Sequence, residues 1–235
     1  MNYGEVRDAA LKLINQYSLA GTEIESTYNN QADYLRRIPE LVDDAVWKIA
    51  TGPRRILERK ELRVEPTRDS MGLPVYTLPE DFMDITPDGL LVVESKYETP
   101  SWDSGYVRVD EHHIVFPKRG RHFHGKVFLL YYRKPRSIKD CKNGAECPLT
   151  GGTCNCEDGE YGQPPDCAVI DNETETHRPI PYFVAASLVK DEDAYVHDTL
   201  LAQWTDLYNN LYQQPMPHRG VVEDVYSGTL DYWAW

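Results

Sequence analysis

The sequence predicts an α+β protein: a small helical bundle built from N- and C-terminal helices, an inserted antiparallel β-rich domain, and an extended C-terminal tail. Three observations predict it. Apolar residues recur at helical spacing near both ends of the chain, short β-branched and aromatic runs separated by Gly and Pro fill the middle, and no period remains after Pro215. At 235 residues the chain can bury a core without disulfide or metal staples.

The first helix is predicted from Tyr3 to Tyr17, where Val6, Ala9, Ala10, Leu13, Ile14 and Tyr17 mark one face and Gly21 lies beyond its end. A second helical pattern begins after Asn29 and Asn30 with Ala32, Tyr34 and Leu35. It restarts at Pro39, a favoured first-turn residue, and runs through Leu41, Val42, Ala45, Val46 and Ile49 to Gly52-Pro53. Beyond Arg54 the runs Leu62 and Val64, Val75 to Thr77, Leu90 to Val93, Tyr106 to Val109, Ile114 to Phe116 and Val127 to Tyr132 read as five or six antiparallel strands. In the longest, Val127, Leu129 and Tyr131 share one face and Phe128, Leu130 and Tyr132 the other, so both faces can be covered.

Residues 140–171 are rich in Gly, Pro, Asn, Asp and Cys and carry no period, which marks an excursion with little regular structure. After Pro179 and Pro181 helical spacing returns through Tyr182, Phe183, Ala185, Ala186, Leu188 and Val189. A last helix carries Tyr195, Val196, Leu200, Trp204, Leu207, Tyr208 and Leu211 to Gln214-Pro215. The predicted organisation is therefore a helical domain from residues 3–53 and 180–214, a β-domain from 54–139, a Cys-rich excursion from 140–171, and a docking tail from 215–235. The tail concentrates Tyr226, Leu230, Tyr232, Trp233 and Trp235, an aromatic density suited to a partner-binding segment.

Hydrophobic residues make up 41% and charged residues 27%, ordinary globular usage, and the net charge is −13. That charge argues against a phosphate-gripping surface, although acidity also serves solubility alone. No apolar run reaches the roughly 18 residues of a membrane span, and Glu5, Arg7, Asp8 and Lys12 interrupt the first turns, which excludes a signal peptide. The expectation is a protein made in a cytoplasm, with no membrane partner.

Cys141, Cys147, Cys154, Cys156 and Cys167 all fall within the excursion and include no Cys-x-x-Cys pair. They are candidates for a structural Zn ion, with His177 as a possible extra ligand, or for local disulfides, or for free thiols. His112, His113, His122 and His124, with Glu111 nearby, could imitate a catalytic metal site, but the spacing is unspecific. No nucleophile elbow, phosphate-cradling loop or His-Glu-x-x-His is present, so the chain is read as non-enzymatic and without a required cofactor. Trp204 and Tyr208, four residues apart, share a helix face that serves either core or interface.

Several stretches taken in order carry a resemblance. These are Tyr3-Gly4-Glu5-Val6 to Ile14-Asn15-Gln16-Tyr17, Asp33-Tyr34-Leu35-Arg36-Arg37-Ile38-Pro39-Glu40-Leu41-Val42, and Tyr76-Thr77-Leu78-Pro79-Glu80-Asp81-Phe82. They continue with Tyr131-Tyr132-Arg133-Lys134-Pro135 and with Ile180-Pro181-Tyr182-Phe183-Val184-Ala185-Ala186 followed by Asp191-Glu192-Asp193. Together they resemble the head-to-tail adaptor (head completion, or neck) proteins of tailed bacteriophages. The resemblance implies a virion protein at the neck, made in a host bacterial cytoplasm. It would form a dodecameric ring with copies of itself below the portal protein, prolong the DNA channel without sequence-specific binding, and offer a platform to the downstream neck or tail protein. The family's C-terminal segments reach the portal, which would give the aromatic tail its role. The Cys-rich excursion and the size of the β-rich middle depart from the family pattern. The alternative reading is a metal-stabilised binding module that uses the excursion to contact a further neck, tail or host component.

Overall fold

The computed structural model describes residues 1–17, 28–93, 101–103, 106–116, 126–142 and 163–213. The protein is α+β, with helices and two small antiparallel sheets. Its described residues divide into two compact units, one drawn from Met1–Arg55 and Pro135–Pro215 and the other from Ile56–Lys134.

The first unit holds α1 (Tyr3–Tyr17), α2 (Tyr28–Thr51), α3 (Ile180–Val189) and α4 (Ala194–Gln213). Helix α1 buries Tyr3, Val6, Ala10 and Ile14, and α2 buries Tyr34, Ile38, Val42, Ala45, Val46 and Ile49, each a stripe at three- and four-residue steps. Helix α3 buries Ile180, Val184, Ala185, Ala186, Leu188 and Val189 around most of its circumference because α1, α2 and α4 all pack against it. Helix α4 adds Val196, Leu200, Trp204 and Leu211 to the same core. Its start is fixed by Asp193, whose carboxylate accepts from the backbone N–H of Tyr195 and Val196 at 3.0 Å each.

The sequence predicts a restart at Pro39, whereas α2 runs through that residue without a break. Proline removes one backbone hydrogen bond and costs a helix interior about 3 kcal/mol. Ile38 and Val42 on either side are fully buried, and burying two such side chains offsets a loss of that order.

The second unit holds β1 (Ile56–Glu61), β2 (Arg63–Arg68), β3 (Pro74–Thr77), β4 (Phe82–Val93), β5 (Ser101–Asp103), β6 (Val107–Arg108), β7 (His113–Val115) and β8 (Lys126–Arg133). They form two sheets, ordered β1-β8-β4-β5 and β2-β3-β7-β6, with every pairing antiparallel. Val127, Leu129 and Tyr131 of β8 share a core with Leu62, Tyr76, Leu78, Ile114 and Phe116. On the opposite face of β8, Leu130 is buried while Phe128 and Tyr132 are half-buried, so both faces are covered. The rings of Tyr76 and Phe116 meet edge-on at 5.5 Å, and Phe82 stacks on Tyr131 at 6.0 Å.

Two strands beyond the expected set, and one that starts early, show where pattern reading fell short. Strand β1 reads Ile-Leu-Glu-Arg-Lys-Glu and looks like a helix surface or loop. It is an edge strand, where charge is tolerated and discourages pairing with another chain. Strand β5 is only three residues long. Strand β4 continues through Pro87-Asp88-Gly89, which reads as a turn. The register jumps there: Ile85 pairs with Tyr131 and Leu90 with Leu129, so the breakers occupy an irregularity that the ladder steps over. In the β2–β3 turn Gly72 has φ 76, a left-handed conformation, while the Asp69 side chain accepts from Met71 N–H at 3.0 Å and Leu73 N–H at 2.6 Å.

Candidate functional site

The tail residues Tyr226, Leu230, Tyr232, Trp233 and Trp235 lie outside the described residues, as do Cys147, Cys154, Cys156, His122 and His124. Cys141 is buried in the core of the helical unit, where its N–H donates to the Ile138 carbonyl at 3.1 Å. Cys167 is half-buried and disulfide-bonded, so in this form its sulfur is not a thiolate ligand. Among the described residues no group of three or more His, Cys, Asp or Glu is arranged to hold a metal ion. His112 is exposed, and His113 Nδ1 lies 2.8 Å from the Asp110 carboxylate. The His112 N–H and the His113 ring hold that carboxyl below the usual carboxylate range, which is turn chemistry.

What the structure does build is a root for the excursion. On its outgoing side, the Asp43 carboxylate of α2 accepts from the Ile138 N–H at 3.0 Å and from the Ser137 hydroxyl. Burial pushes the Asp43 carboxyl up against the pull of those donors. On the returning side, Tyr3 N–H donates to the Ala168 carbonyl at 2.9 Å and Gly4 N–H to the Asp166 carbonyl at 3.0 Å. Gly4 is required there, because a Cβ would stand 2.9 Å from that of Asp166. The Arg7 guanidinium clasps the Asp166 carboxylate in a two-pronged pair at 2.5 and 3.1 Å. Arg136 N–H donates to the Asp171 carboxylate at 2.6 Å and joins the two sides. Residues 135–142 and 163–171, read from the sequence as β-domain and excursion, thus belong to the helical unit, with Ile138, Ala168 and Ile170 in its core.

A second feature is an aromatic ladder that starts on α3 and continues along α4. Phe183, Trp204, Tyr208 and Tyr212 follow one another at ring separations of 5.0, 5.2 and 5.8 Å. The ladder runs from core to surface: Trp204 is 6% exposed and Tyr212 58%. Tyr208 closes it onto α2, its hydroxyl donating to the Lys48 carbonyl at 3.2 Å. Burial first, and the Tyr212 hydrogen bond second, push that hydroxyl up to about 12, so the ladder offers packing rather than proton transfer near neutrality. Leu201, Tyr195 and, on α2, Trp47 add further exposed apolar surface.

A third is a groove of about 490 Å³ between α1, the turn Thr174–His177 and α3. Leu13, Pro181 and Tyr182 form its walls, and Lys12 and Arg178 stand exposed at its rim. His177, 4% exposed, donates from Nε2 to the Asn172 carbonyl at 3.1 Å and accepts at Nδ1 from the Met1 amine at 2.8 Å. Burial, with the amine's charge second, lowers its pKa and keeps the ring neutral. Nothing in the sequence announces this groove, since Lys12 and Arg178 meet only through the pairing of α1 with α3.

Among the described residues no helix is long and apolar enough to cross a membrane. In comparisons with known proteins, no family model matches the chain and no curated protein matches it.

Proposed function

We propose that this chain is a non-enzymatic structural component of a tailed-bacteriophage virion, a head-to-tail adaptor that forms a ring between portal and tail components and prolongs the DNA channel. The observation that carries the reading is the architecture of the helical unit. Helices from both ends of the chain close into one core, the sheet unit being inserted between them in the sequence, and the last helix leaves the ladder Trp204–Tyr208–Tyr212 running out to an exposed end. Exposed aromatic surface of this kind suits contact with a neighbouring copy or a partner. The ordered resemblance of scattered pieces across about residues 3–212 to adaptor proteins and the net charge of −13, which suits a lining that lets a duplex pass, point the same way. The tail, with Tyr226, Leu230, Tyr232, Trp233 and Trp235, is assigned to partner binding, on the portal or on a neighbouring copy in the ring.

The test is reconstitution on purified portal particles, imaged by electron microscopy. The expected result is a ring of this chain on the portal, lost when residues 216–235 are removed. Absence of any ring on the portal overturns the adaptor reading. Undiminished binding by the truncated chain overturns the role of the tail alone.

A further inference from the structure

We infer that the groove beside α1 is a docking site for an acidic, aromatic peptide, and that its occupant is residues 223–235 of a second copy of this chain. The walls Leu13, Pro181 and Tyr182 are apolar, and the volume of about 490 Å³ lies in the range of sites that enclose bulky side chains. The rim is cationic: Lys12 and Arg178 are exposed, and among the described residues neither makes an ion pair. Two cations without an ion-pair partner among the described residues give the rim of an apolar groove a charge opposite to the chain's net −13. His177 in the floor is neutral and adds no charge of its own near pH 7.

The complementary chemistry is carboxylates flanking aromatic rings. Residues 223–235 carry Glu223, Asp224 and Asp231 together with Tyr226, Tyr232, Trp233 and Trp235, and contain no Lys or Arg. The groove and this segment are different surfaces, so each copy offers one of each. A contact of that type is head-to-tail and propagates until a ring closes. Ring closure rests on the adaptor reading; the recognition of segment by groove does not.

The probe is a fluorescent synthetic peptide of residues 223–235, titrated by anisotropy into the full-length protein. Saturable binding is expected, weakened about tenfold or more when Lys12→Glu and Arg178→Glu are combined, and weakened again near 0.5 M salt, roughly where surface charge is screened within a few ångströms. Both substitutions lie on exposed side chains. A second arm leaves the protein untouched and changes the peptide at Glu223→Lys, Asp224→Lys and Asp231→Lys, with the same loss expected. Equal binding in either arm overturns the inference. Sedimentation at increasing protein concentration decides the occupant: self-association that excess unlabelled peptide reverses supports a second copy, and a concentration-independent monomer overturns it. Peptide binding without any ring on the portal leaves the groove standing and removes the adaptor reading.

Discussion

The helical unit and the β unit bury their apolar residues in opposite ways. The helical core joins Tyr3 of α1 to Leu211 of α4 and takes in Ile138, Ala168 and Ile170, so its members come from both sides of the β unit in the sequence. Among the described residues the β core draws on residues between Leu62 and Tyr131, with a small satellite at Leu73, Val75 and Val115. A core made of contiguous sequence closes short loops, whereas one made of the ends waits for the whole insert. The β unit can therefore order before α3 and α4 exist, and the helical unit cannot be completed without them.

The largest expected effect comes from cutting each core. Leu200→Ala removes a fully buried side chain and costs about 2–5 kcal/mol. Because the core is shared, amide exchange should accelerate in α1 as well as α4. Leu129→Ala should cost a similar amount while leaving α1 amides protected, and mass-spectrometric hydrogen exchange on both variants reads the contrast. Equal deprotection of α1 by both would erase the distinction between the units.

Asp43→Ala comes next. It strips the acceptor from the Ile138 N–H and the Ser137 hydroxyl, at a cost of about 1–3 kcal/mol in urea unfolding.

A pH effect follows from His177. Its folded pKa lies below the ordinary 6.5, so its contribution is complete above that value and is lost as pH falls from 6.5 toward the folded pKa, where the unfolded chain binds the proton first. Melting temperature should fall across that acidic window, and His177→Gln should flatten the fall. The smallest effect belongs to Arg7→Ala. The Asp166 side chain is 57% exposed, and solvent screening holds the loss to about 1 kcal/mol or less, read as a small shift in urea midpoint.

The helices were legible in the sequence because a three- and four-residue apolar period directly states which face is buried. Tyr3, Val6, Ala10 and Ile14 are an example, and α1, α3 and α4 lie where the pattern places them. Strand β8 was equally legible as an unbroken apolar and aromatic run. Strand β1 was not, because an edge strand need not alternate, and the passage of β4 through Pro87-Asp88-Gly89 depends on a register jump that no local signal carries. The candidate site residues of the tail and most of the cysteines fall outside the described residues. The features the structure adds, namely the root of the excursion, the ladder and the groove, are built from residues far apart in sequence.

The sequence by itself determined the order of helices, sheet and helices, the single amphipathic face of α1, and the acidic balance, because period and charge are properties of neighbours along the chain. Only the tertiary structure decided that α2 runs unbroken through Pro39, that Arg7 meets Asp166, and that Lys12 and Arg178 face one groove. Those outcomes depend on burial shared between segments more than a hundred residues apart, and packing on that scale outweighs the local preference of any one residue.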